Sequence, residues 1–251
     1  MTVHRFYAAQ LPAPGSDLRL SPAEGRHLTR VLRLRSGTRV LVFDGRGRQH
    51  EATVTGDDPR RPVLLLGAPV AAPAEPLVRV TLGMTILKGR KLDAVVRDAT
   101  TLGVTGIVPL LSQRTQPGGE ERAGGRLGDR WLGIAVASAK QCGRAVVPEI
   151  YPPATFRRFL GHARSHAVRL LLVEPAAAGS AARGGADALR SGSRPATVAL
   201  AIGPEGGWTE DEIRAAEEAG FRPLTLGRRT LRSEIAPVAA LAILRFTWDD
   251  L

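Results

Sequence analysis

The chain contains a single cysteine, Cys142, which excludes an intramolecular disulfide and leaves no cysteine cluster for zinc. No apolar run approaches the ~18 residues that cross a bilayer. The opening residues, MTVHRFYAAQLPAPG, lack a basic stretch followed by an apolar one, so no signal peptide is expected. A cytoplasmic protein is the default. GxxxxGK[ST] is missing, which argues against a P-loop. GxGxxG is missing after the first strand of the α/β part, which argues against a Rossmann dinucleotide site. CxxC and HExxH are also missing. The five histidines (His4, His27, His50, His162, His166) stand at no metal-ligand spacing. His162 and His166 are four apart without an evident third ligand, and a solvated helix face explains them better than a metal. No metal is expected. Lysine is scarce too: only Lys88, Lys91 and Lys140 occur among 35 basic residues, so 32 are arginines.

What is present is ordinary in apolar content and unusual in charge. Hydrophobic residues make up 43% and charged residues 24%, as in globular proteins. The 251 residues suffice for one large domain or two smaller ones. The net charge is +11 and the pI is near 11.2. Arginine-rich coding explains arginine over lysine but not the positive sign. A pI this high favours a polyanionic partner, most simply nucleic acid.

Residues 1–72 read as a small, mostly β domain. Short β-type runs at 39–43, 51–55 and 62–66 are separated by turn signals, with Asp44-Gly45-Arg46-Gly47 as a hairpin turn. One helix opens at Ser21-Pro22-Ala23-Glu24, with serine as cap, proline at the first helical position and a glutamate three residues on. It places Leu28, Val31 and Leu32 on one face and Arg26, Arg30 and Arg33 largely elsewhere. This segment carries 11 basic against 6 acidic residues. A Pro/Ala stretch, 67–76, marks the boundary. From there to 251 strands and helices alternate: strands at 78–87, 106–111, 169–173, 197–202 and 222–226, helices at 90–102, 129–141, 209–219 and about 234–248. Such alternation predicts a parallel sheet covered on both faces. The Gly/Ala/Arg-rich stretches 116–126 and 176–195 read as loops.

Two loops attract attention. AIGPEGGWTEDEI, 201–213, leads from a strand into a helix capped by Thr209 with Glu212 reaching back. Ligands of parallel sheets bind beyond the C-terminal strand ends, and glycines let a ligand approach the backbone. LGRRTLRSEIA, 226–236, again follows a strand, has a glycine and precedes a helix. Pro237 must lie in that helix's first turn, which starts the helix near Ser233 or Glu234. Two such loops on one sheet edge would wall a pocket with backbone.

GPEGG at 203–207 followed by LGxxxLRxEIA at 226–236 closely resembles the bacterial 16S rRNA uridine-N3 methyltransferases, members of the SPOUT class. HLTRVLRLRSG at 27–37 resembles their PUA-like RNA-binding barrel. Lys88-Gly89 and Leu102-Gly103-Val104 resemble their first helix, and Arg114, Arg130-Trp131 and Gln141-Cys142-Gly143-Arg144 their middle segments. The resemblance spans nearly the whole chain. It implies a C-terminal SPOUT-type α/β domain with a parallel sheet and a deep trefoil knot, over 73–251, behind a PUA-like β-barrel. It implies a homodimer and S-adenosyl-L-methionine as methyl donor. The implied cofactor loops contain Leu172, Val173, Glu174, Ile202, Gly203, Pro204, Gly206, Gly207, Leu226, Gly227, Leu231 and Arg232. The implied target is N3 of a uridine of the U1498 type in 16S rRNA of the small ribosomal subunit.

The chemistry of that transfer needs an anionic uracil stabilised beside a sulfonium. Arg232 is the candidate cation. Glu205 and Glu234 are candidates for orienting it or accepting the proton. Arg26, Arg30, Arg33, Arg35, Arg114 and Arg144 are the candidate RNA contacts. The chain departs from the usual pattern at Asp98, Thr101, Ala137 and Lys140, positions expected to affect packing or RNA contact rather than the cofactor loops. Other readings are a SPOUT enzyme acting on another RNA position, and a non-catalytic RNA-binding assembly factor.

Overall fold

The computed structural model describes residues 3–56, 58, 62–115, 126–175 and 193–250. The stretches expected as loops, 116–126 and 176–195, fall almost wholly outside them. The chain forms two compact units: Met1–Glu75 with Val136–Val147, and Pro76–Ala135 with Pro148–Leu251. Residues 136–147, placed by sequence in the second domain, thus belong to the first unit.

The first unit is built on five strands: β1 (Arg5–Tyr7), β2 (Asp17–Arg19), β3 (Arg39–Phe43), β4 (Gln49–Gly56) and β5 (Val63–Pro69), in the order β1-β3-β4-β5-β2. β1 runs parallel to β3 and the other pairs are antiparallel. Alternating residues Val40, Val42, Val54, Leu64 and Leu66 join Phe6 and Leu28 in the core. The Asp44 carboxylate accepts from the Arg46 and Arg48 N–H groups and the Arg48 guanidinium, which closes the β3–β4 turn. The short strands β1 and β2 carry too few residues for periodicity to reveal.

Helix α1 (Pro22–Arg26) starts as the sequence predicts, with Ser21 Oγ accepting from the Glu24 N–H. Glu24 does not complete a capping box. Its carboxylate accepts from the Tyr7 N–H and from Lys140, both oxygens lying 2.9 Å from Nζ. After Arg26 the helix widens into a π turn, His27–Val31, with the Leu32 N–H bonded to the His27 carbonyl. The extra residue shifts the phase of the face. Leu28 is buried, but Val31, expected beside it, is 66% exposed. Arg144, expected to contact RNA, is buried, and its guanidinium is paired with the Glu75 carboxylate at 2.6 Å. A buried, paired arginine presents no face to phosphate.

The second unit is an α/β layer structure. Its strands are β6 (Arg79–Thr85), β7 (Gly106–Leu111), β8 (Glu149–Ile150), β9 (Ala154–Thr155), β10 (Val168–Leu172), β11 (Thr197–Ile202) and β12 (Arg222–Leu224). The order is β12-β10-β11-β6-β7-β8, with β9 also paired to β7, and every pair is parallel. Helices α2 (Lys91–Thr101) and α6 (Ala236–Thr247) pack together, while α4 (Phe156–His162) and α5 (Glu210–Glu218) pack with Phe221 and Trp208 in a second core. A further helix, α3, spans Arg126–Cys142, and its residues from Val136 on belong to the first unit. Gly83, in mid-strand, leaves room for the Phe159 ring, which would stand 2.6 Å from a Cβ there. His162 ends α4, whereas His166 lies beyond it with Nε2 3.1 Å from Thr81 Oγ1. The two histidines therefore share no helix face.

The capping box at α5 forms as read. Thr209 Oγ1 accepts from the Glu212 N–H, and the Glu212 carboxylate accepts from the Thr209 N–H. Thr209→Ala is expected to cost about 1 kcal/mol in denaturant unfolding, and Thr209→Ser much less. An alanine variant as stable as the parent would show that the box is dispensable. Helix α6 begins at Ala236, two residues later than the sequence suggests. The Arg232 carbonyl accepts from the Ile235 and Ala236 N–H groups, so Arg232 to Ile235 form a turn ahead of the helix. Pro237 lies in the first helical turn, as expected.

Candidate active site

The paired strand ends Leu224, Leu172, Ile202 and Met84 lie side by side across four parallel strands. Their loops therefore emerge at one edge. They enclose a cavity of about 420 Å³. Its apolar walls are Leu172, Val173, Ile202, Pro204, Leu226 and Leu231, and its charged rim is Lys91, Glu174, Glu205, Arg229, Arg232 and Glu234. The size suits a small organic ligand.

Of the predicted cofactor residues, Leu172, Val173, Glu174, Ile202, Gly203, Pro204, Gly207, Leu226, Leu231 and Arg232 line this cavity. Gly206 and Gly227 do not. The glycines of the first loop serve different ends. Gly207 has φ +69°, a conformation that side chains resist, and its bare face lies against the Glu174 carboxylate. Gly203 makes room for Trp208, whose ring would stand 3.1 Å from a Cβ there. That indole stacks on Phe156 at 4.2 Å and donates its N–H to the Leu172 carbonyl at 3.0 Å. The ring thus ties the β11 loop to the end of β10.

The carboxylates Glu205 and Glu234 are brought together, but not by Arg232. Between them stands Lys91, the first residue of α2, with Nζ 3.0 Å from Glu205 Oε1 and 3.7 Å from Glu234 Oε2. Burial opposes charge on Glu205, yet hydrogen bonds from its own N–H and from Lys91 prevail and hold its pKa below the usual carboxylate range. Glu234 is held low by its own N–H, against some desolvation, and then by the Lys91 charge. The bond to Glu205 raises Lys91. All three stay charged at neutral pH, so the carboxylates are weak proton acceptors. Arg232 is exposed on the rim, and among the described residues no carboxylate lies within ion-pair distance of it.

Arg114 is engaged within this unit. Its guanidinium donates to the Gly206 carbonyl at 2.5 Å and to the Trp208 carbonyl at 3.4 Å, bracing the β11 loop from outside. In the first unit Arg26, Arg30, Arg33 and Arg35 are all exposed, from the last residue of α1 through the π turn to the residues after it. Arg33 adopts φ 53°, which ends the helical path.

Residues 73–245 match the model of the RNA methyltransferase domain, and residues 20–66 that of the RNA methyltransferase PUA domain. The chain belongs to the RNA methyltransferase family. A ribosomal RNA small subunit methyltransferase E of Synechocystis is 35% identical over 226 residues, covering 89% of this chain and 71% of that protein. The solved structure of a methyltransferase from Legionella pneumophila, with bound SAM, matches with a TM-score of 0.89 and 31% identity over 98% of each chain. A ribosomal RNA small subunit methyltransferase E from Neisseria gonorrhoeae, bound to S-adenosyl methionine, matches with a TM-score of 0.86 and 31% identity, again over 98% of each. The expected α/β fold with a parallel sheet and an N-terminal PUA domain is therefore that of this RNA methyltransferase.

One rim residue of the methyltransferase escapes sequence reasoning. Lys91 meets Glu205 only through the sheet, 114 positions along the chain. The available signal is compositional: in a chain with 32 arginines, each of three lysines is a marked choice of a compact ammonium over a planar fork. Lys140, a departure from the family pattern, is similarly committed, paired to Glu24. Asp98 pairs with its neighbour Arg97 on the helix surface.

Proposed function

We propose that this protein is an S-adenosylmethionine-dependent methyltransferase that methylates N3 of a uridine of the U1498 type in 16S rRNA of the small ribosomal subunit. The observation that carries the reading is the cavity between the 203–207 and 226–236 loops, at the ligand-binding edge of a parallel sheet. The relatives named above support rRNA as substrate and S-adenosylmethionine as donor.

The residues present fit that donor. Apolar side chains, Leu172, Val173, Ile202, Leu226 and Leu231, suit a purine. Gly207 keeps a Cβ out of the wall beside Glu174. Glu174 and Arg229 supply opposite charges for an amino-acid group with both. When bound, the donor supplies an electrophilic methyl group on a sulfonium. The chain's own residues do the rest. The cavity walls hold one reactant in place, which removes much of the entropic barrier. Arg232, exposed at the mouth, stabilises negative charge on the uracil oxygens. Glu205 and Glu234, tied to Lys91, shape the rim.

In this reading the exposed arginines of the first unit grip RNA phosphate. Replacing Arg26, Arg30 and Arg33 together by glutamate is expected to weaken RNA binding at least tenfold and to flatten its salt dependence, with cofactor affinity unchanged. Equal salt slopes for variant and parent would place the RNA grip elsewhere. Charge reversal is cleaner than deleting residues 1–72, because 136–147 would lose their partners Arg5 and Glu24. The reading also includes a cytoplasmic homodimer with a knotted C-terminal domain. Exposed Ile235, Ile243 and Phe246 on or beside α6 support a second copy as partner. The deciding experiment is mass-spectrometric mapping of 16S rRNA from a strain lacking the protein, before and after incubation with it and labelled S-adenosylmethionine. A label absent from uridine N3 would refute the assignment.

A further inference from the structure

Lys91 lines the cavity and is a rim cation held in ion pairs. Two carboxylates from two different loops, Glu205 and Glu234, hold its ammonium from either side. An ammonium carries three N–H donors; Glu205 accepts one at 3.0 Å, while Glu234, at 3.7 Å, acts through charge alone. The Lys91 side chain remains 41% exposed, so an incoming group can reach a donor that Glu205 does not use. Arg232 is near enough for its charge to act on Lys91. Uracil deprotonated at N3 shares its charge with the two carbonyl oxygens that flank N3. A site built for that anion has a use for two cations.

We propose that Lys91 is a second catalytic cation, donating an N–H that Glu205 leaves unused to one carbonyl oxygen of the target uracil while Arg232 takes the other. This rests on the uridine-N3 reading above. Lys91 is not the base, since its carboxylate partners keep it protonated. Among the described residues, the ionisable groups lining the cavity are Lys91, Arg229, Arg232, Glu174, Glu205 and Glu234, with no histidine. Glu205 and Glu234 are held below the usual carboxylate range and Lys91 is raised by Glu205, so the carboxylates are poor acceptors for the uracil proton. The N3 proton therefore passes to solvent in a prior equilibrium. The bond from N3 to the methyl carbon then forms as the carbon–sulfur bond breaks, and the electron pair of that bond stays on sulfur. The rate rises with pH until the bound uracil is ionised, and the two cations set where that happens.

The test is the pH dependence of single-turnover methylation of 16S rRNA by the parent, Lys91→Met and Lys91→Arg, with S-adenosylmethionine affinity measured by calorimetry. Lys91→Met is expected to lose about 10- to 100-fold at neutral pH, a loss that narrows as pH rises, with the profile displaced upward by about one pH unit. Lys91→Arg should restore the position of the profile, and cofactor affinity should stay within about threefold. A loss equal at every pH, or one matched by weakened cofactor binding, would reduce Lys91 to a pin between the loops and overturn the proposal. If Lys91→Met does not fold, Lys91→Gln carries the same comparison. No 3-methyluridine from the parent enzyme would instead overturn the reaction assignment, and this role with it.

Discussion

Arg232→Ala is expected to lower the single-turnover methylation rate by about 10²- to 10³-fold, roughly 3–4 kcal/mol of transition-state stabilisation. The size follows from what the side chain does and does not do. It is exposed at the cavity mouth and has no ion-pair partner among the described residues. Its position is fixed by the backbone, because its carbonyl accepts the Ile235 and Ala236 N–H groups that lead into α6. Truncation removes charge without removing that turn. Folding and cofactor binding should therefore survive, and the loss should fall on the chemical step. Calorimetric affinity for S-adenosylmethionine is expected to change by less than about threefold, and Arg232→Lys should recover part of the rate. A single-turnover rate within a few-fold of the parent would remove Arg232 from the chemistry.

The largest expected effect on stability lies far from the cavity. Arg245, on α6, is 1% exposed. Its guanidinium donates to the carbonyls of Val78, Leu102 and Gly103 and to Asp250 Oδ2 at 2.6 Å. Asp250 in turn accepts from the Leu77 and Val78 N–H groups. This cluster fastens α6 to the start of β6 and the end of α2. Asp250→Ala would leave a buried cation and two backbone N–H groups uncompensated. The expected cost is about 3–5 kcal/mol, or a fall of roughly 10 °C in Tm. Replacing both members, Arg245→Met with Asp250→Leu, should cost less than Asp250→Ala alone, because no buried charge is then left unpaired. Thermal and urea unfolding of the three proteins measure this, and a double variant weaker than the single one would contradict it.

What the residues disclose in advance is mostly local chemistry. The Thr209–Glu212 box, Ser21 as a cap, the strands 39–43, 106–111 and 197–202, and Pro237 in a first turn depend on neighbours within a few positions. The cavity was legible because both loops follow strands and carry glycine. What stayed hidden depends on distant partners. Glu24 has the spacing of a capping glutamate, yet an ion pair with Lys140, 116 positions away, competes for it. Arg114 and Arg144 look alike as surface cations, but one braces carbonyls and the other is buried on Glu75. The π turn at His27–Val31 defeats a 3.6-residue periodicity by one residue and turns Val31 outward. By sequence Glu205 and Glu234 are candidates for orienting Arg232 or accepting the proton, and nothing local connects either to Lys91.

The strand order has a kinetic consequence. β6 and β10 do not touch each other in the sheet: β11 occupies the place between them, though it comes later in the chain than both. Until Thr197–Ile202 inserts, two apolar parallel strands each expose an unpaired edge, and no local pairing can protect them. Loop closure over more than a hundred residues must precede the reward of β6–β11 pairing. Folding of this unit should accordingly be slow for its size and most prone to self-association while that central slot stands empty.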